Sequence, residues 1–69
     1  MNQFFMIGVR NEFRSSYSMP SLQHDISSFP EVIIRRFLPA LEIITFECSE
    51  ESLVKLQDKI GDVCHIERM

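Results

Sequence analysis

The sequence predicts an α+β fold, a two-layer sandwich in which two helices cover one face of a four-stranded antiparallel sheet. Three observations carry this expectation. Short apolar runs rich in branched and aromatic residues alternate with segments whose apolar residues recur every three or four positions, in the order strand, helix, strand, strand, helix, strand. The two middle strands are separated by little more than Pro39-Ala40, too short a link for a parallel crossover. Each helical segment also follows a serine able to cap it, Ser18 or Ser49.

The first strand is read over Phe4 to Val9 (FFMIGV), an unbroken apolar run that suggests burial on both faces. Gly8 within it points to a bulge or to close approach of another backbone. Asn11 to Ser18 (NEFRSSYS) is polar and serine-rich and reads as a loop, with Phe13 and Tyr17 folding back over an end of the core. A helix follows, with Pro20 in its first turn and Met19, Leu22, Ile26 and Phe29 on one apolar stripe, until Pro30 ends it.

Val32 to Leu38 (VIIRRFL) and Leu41 to Cys48 (LEIITFEC) pair as an antiparallel hairpin. In the second of them Ile44, Phe46 and Cys48 share one face, and Ile43, Thr45 and Glu47 share the other. In the next helix Glu50 and Glu51 suit the positive end of the dipole, and Leu53, Leu56 and Ile60 form the buried stripe. Glu51 and Lys55 are placed to pair, and Gly61 serves as C-cap. Val63 to Met69 (VCHIERM) is the last strand. Two right-handed βαβ units joined by a hairpin make the βαββαβ ferredoxin-like sandwich, with the first and third strands central. Residues 1–69 are expected to form this one domain.

Composition narrows the function. Hydrophobic residues make up 45% of the chain, enough for a core and against disorder. The net charge is −3, and the basic residues are scattered apart from Arg35-Arg36, so nucleic acid is not an expected partner. The start of the chain has no signal-peptide pattern, and no apolar run is long enough to span a bilayer. Cys48 and Cys64 read as buried thiols in a reducing compartment, which makes the expected location cytoplasmic. A bridge between them stays open if they lie on neighbouring elements.

Catalytic signals are weak. There is no phosphate-binding glycine pattern, and the metal-ligand types His24, Cys48, Cys64 and His65 are scattered, so no metal or cofactor is expected. A Cys48–His65 pair is conceivable, but a buried Cys and a surface His are the simpler reading, and Glu50-Glu51 suit a helix start better than acid–base work. No enzyme activity is expected. The sandwich does leave one sheet face without helices, and that face must take either Ile43 with Thr45 or Ile44 with Phe46, plus alternate residues from FFMIGV and VIIRRFL. Either choice exposes large apolar groups, the mark of a partner surface.

The segments FFMIGVR and LEIITFECSEESLVKLQDKIGDVCHIERM resemble the subtilisin propeptide family, also called peptidase inhibitor I9. The likeness is clearest from Val32 to Met69, where a hairpin enters a capped helix of the form S-x-x-x-L-x-x-L and ends on a strand of the form V-x-x-I-E. It implies a ferredoxin-like domain that docks its open sheet face on a subtilisin-like protease. In that family, carboxylates at the positions of Glu42, Glu47 or Glu50 would meet protease helix N-termini, and a C-terminal tail would lie in the cleft. Here the chain stops about where the last strand should end. Docking through the sheet is therefore expected of a stand-alone inhibitor or folding assistant, with Glu42, Ile43, Thr45 and Glu47 at the contact. Ile66, Glu67, Arg68 and Met69 are the residues left for any cleft contact. The alternative is a non-inhibitory interaction or self-assembly module, dimerising through the sheet face or an edge strand. A small-ligand sensor is a weaker third reading, since no polar site is visible.

Overall fold

The computed structural model describes residues 1–69 and has the predicted element order: β1 (Gln3–Val9), α1 (Met19–Ser27), β2 (Ile33–Leu38), β3 (Ile43–Cys48), α2 (Glu50–Ile60) and β4 (Cys64–Arg68). A short 3-10 turn, Asn11–Phe13, follows β1. The four strands form one antiparallel sheet in the order β2-β3-β1-β4. The most buried strands, β1 and β3, are central, and this is the topology of the ferredoxin-like sandwich.

Alternation along the strands decides what the helices cover. Phe5, Ile7 and Val9 of β1, Ile44, Phe46 and Cys48 of β3 and Cys64 of β4 are buried with Leu22, Ile26, Leu53, Leu56 and Ile60 of the helices. Phe5 and Phe46 stack with ring centroids 5.5 Å apart. Of the two choices left open for β3, the structure takes the one that turns Ile43, Thr45 and Glu47 away from the helices. Expected burial of β1 on both faces is corrected: Phe4 is half-exposed, because nothing packs on its side of the sheet.

Local chemistry explains the boundaries. Ser18 and Ser49 each accept a hydrogen bond from the backbone N–H three residues on, at Ser21 and Ser52, and so cap α1 and α2. Helix α1 stops at Ser27, short of Pro30, yet Phe29 still packs against the core beside Phe13, Tyr17 and Met19. Gly61 ends α2 in a right-handed conformation rather than the left-handed one common at C-caps. A side chain there would place its first carbon 2.5 Å from the Gln57 carbonyl oxygen. The Glu51–Lys55 pair does not form; Glu50 reaches Arg68 of β4 instead.

Two departures shape the open face. The hairpin turn is longer than Pro39-Ala40, running through Glu42, which holds a left-handed φ of 57°. Strand β2 carries an irregularity between Ile34 and Arg36. Ile34 stays opposite Phe46 and Arg36 falls opposite Thr45, so Arg36 joins the open face.

Candidate docking face

The helix-free face is ordered in rungs fixed by strand register. Ile33, Glu47 and Phe4 make one rung across β2, β3 and β1, with the Met69 N–H bonded to the Phe4 carbonyl oxygen at its end. Arg36, Thr45, Met6 and Glu67 make the next, spanning all four strands. Leu38, Ile43, Gly8 and His65 make the third, where Gly8 lies one step beyond the Ile7–Ile44 pair.

The central strands of this face carry Phe4, Met6, Ile43 and Thr45 with one carboxylate, Glu47. Its edge strands carry Arg36 on β2 and His65 and Glu67 on β4 beside Ile33 and Leu38. Phe4 is 50% exposed and Ile33 47%, while Met6, Leu38 and Ile43 are partly covered by their neighbours. Arg35 bridges to Glu47 at 3.2 Å, and His65 Nε2 lies 2.8 Å from Glu67 Oε1. At one end a shallow depression of about 200 Å³ opens over Gly8, between Met6 and Ile43 and beneath Leu41. Its rim holds the Arg14–Glu42 ion pair (2.8 Å) and the His65–Glu67 pair. The missing side chain of Gly8 makes the depression. Close approach of the Glu42 carbonyl, 3.0 Å from where a Cβ would sit, accounts for the glycine as its sequence position suggested.

The residues singled out from sequence separate into three groups. Ile43, Thr45, Glu47 and Glu67 share the open face, with Glu42 at its rim. Ile66 and Arg68 turn to the helix side, where Ile66 packs on the core and Arg68 pairs with Glu50. Met69 sits at the strand end, exposed but tied to β1 through its backbone. Ile66 to Met69 are thus held along β1, and using them in a cleft would require stripping β4 from the sheet. Sequence reasoning placed alternate residues of FFMIGV and VIIRRFL on this face without naming Phe4, Met6, Ile33 or Arg36, and it missed Arg14 and His65 as rim residues. Simple alternation assigns Phe4 and Met6 correctly; the others depend on register.

The two thiols lie on the opposite, helix-covered side. Desolvation raises the Cys48 pKa, with Glu50 and Glu31 adding to it, and pushes Cys64 up to about 11, with Asp25 raising and Arg10 lowering it. Neither thiol can meet His65 across the sheet. Cys48 pairs at the Gln3 end of β1 and shares β3, whereas Cys64 pairs at the Val9 end on β4. Six residues of strand separate those ends, roughly 20 Å, so the disulfide left open by the sequence cannot form in this fold. No three His, Cys, Asp or Glu residues meet as a metal site. No helix is long and apolar enough to cross a membrane. Comparison with family models, curated proteins and solved structures returns no match to this chain.

Proposed function

We propose that this chain is a docking domain that binds a folded protein through the helix-free face of its sheet and performs no chemistry itself. The observation that supports this most directly is the rung bearing Phe4 and Ile33. Two large apolar side chains stand half in water there, beside partly covered Met6, Leu38 and Ile43, while the other face is closed by helices. Apolar patches with charged margins are what partner surfaces present. Burial of both thiols, and their separation from His65, fits a non-catalytic role.

The likeness to subtilisin propeptides supplies a partner class, a subtilisin-like protease that the chain inhibits or helps to fold. In this reading Ile43 and Thr45 contact the protease along with Phe4 and Ile33, and Glu42 and Glu47 approach its helix N-termini. Those carboxylates already pair with Arg14 and Arg35. Exchanging the exposed Arg14–Glu42 pair costs at most about 1 kcal/mol. With Ile66 to Arg68 paired in β4 and Met69 bonded to β1, the contact is made by the sheet.

Titrating the chain into a subtilisin by calorimetry, with peptide hydrolysis followed in parallel, tests the partner. The expected result is binding that Phe4→Ser and Ile33→Ser weaken at least tenfold. Absence of heat at high micromolar concentration removes the protease from consideration.

A further inference from the structure

The charge layout of the open face names a partner for it. Resting on the docking reading above, we infer that the face pairs with a second copy of this chain, related by a two-fold axis parallel to the strands.

The rung Arg36–Thr45–Met6–Glu67 has a guanidinium at the β2 edge and a carboxylate at the β4 edge. Arg36 forms no ion pair within its own chain, and the only side-chain partner of Glu67 is His65, 2.8 Å away. Aligned packing of two sheets allows two axes in the plane between them. An axis across the strands lays β2 on β2 and β4 on β4, which puts Arg36 over Arg36 and Glu67 over Glu67. An axis along the strands lays β2 on β4 and β1 on β3. Arg36 then faces Glu67 twice, Thr45 faces Met6, and Ile43 comes over the depression at Gly8. On the next rung Ile33 comes over Met69 and Glu47 over Phe4. Of the two axes, only this one brings opposite charges together at both margins; Glu47, which comes over Phe4, keeps its own Arg35 as counter-ion.

Edge pairing is the competing route, and both edges are blunted against it. Strand β2 has its irregularity beside Arg35 and Arg36, and the five-residue β4 carries His65, Glu67 and Arg68. Four strands spaced by about 4.8 Å and some 20 Å long offer roughly 400 Å² of flat face per copy. Burying roughly 800 Å² in all is below the range of stable interfaces, so the dimer is weak and concentration-dependent.

Sedimentation of the chain up to about 1 mM, a range suited to weak association, should show reversible dimerisation. Arg36→Glu and Glu67→Lys should each weaken it at least tenfold, because like charges then face each other twice. Mixing the two variants, or combining both changes in one chain, should restore it; restoration also proves that the variants fold. A chain that stays monomeric overturns the inference, and so does a dimer indifferent to both single changes, which must use an edge or another axis. Neither outcome touches the docking reading, which the Phe4→Ser and Ile33→Ser titrations decide separately.

Discussion

A carbon placed on Gly8 would lie 3.0 Å from the carbonyl oxygen of Glu42, the one residue with positive φ. The contact joins the end of β1 to the β2–β3 turn and leaves the depression open. Gly8→Ala must push that turn away, at a cost of roughly 1–3 kcal/mol. At Glu42 itself, Asn should be tolerated or slightly stabilising and Val should cost about 1 kcal/mol or more, since branched residues resist the left-handed region. Urea midpoints measure both. A Val variant as stable as the parent would refute the strain at Glu42.

The Phe5–Phe46 stack sits at the centre of the core, and Phe46 is fully buried. Phe46→Ala should remove about 3–5 kcal/mol, a large share of what a domain this small holds. Circular dichroism is expected to find the variant mostly unfolded at 37 °C, with Phe46→Leu recovering most of the loss.

Stability should fall in alkali through the buried thiols. Below pH 9 the Cys64 thiol is protonated in both states and contributes nothing to the pH dependence. Between its ordinary value of 9.0 and the folded value of about 11, the unfolded chain loses the proton and the folded chain keeps it. Stability present below pH 9 is therefore lost as pH rises toward 11, by roughly 2–3 kcal/mol. Cys48 acts in the same direction. Unfolding free energies across pH 8 to 11.5 should flatten in Cys64→Ala; an unchanged curve would count against burial of this thiol.

Ser18 and Ser49 make equivalent capping bonds. Ser49→Ala should cost about 1 kcal/mol and Ser49→Gly only a few tenths. Ser18→Ala should behave alike. Equal effects of Ala and Gly at Ser49 would argue that the hydroxyl is not the cap.

Element order, both caps and the division of β3 into two faces were legible because they depend on local periodicity; which face the helices cover was not. Ile44, Phe46 and Cys48 must share a face whichever way the sheet is assembled. The apolar run of β1 was misleading for the same reason: its composition suggested two buried faces, but burial of Phe4 depends on what lies opposite, and no helix does. The irregularity in β2 left no mark in VIIRRFL.

The sequence alone determined that this chain alternates strands and helices, caps both helices with serine and has one sheet face rich in apolar groups. Only the tertiary structure decided that Arg36 and Glu67 stand at opposite ends of one rung, that Gly8 opens a depression under Leu41, and that Cys48 and Cys64 lie too far apart to bridge. The first set follows from interactions within a few residues. The second depends on register between residues up to 63 positions apart, Phe5 and Arg68, which is fixed when the whole core closes and not before.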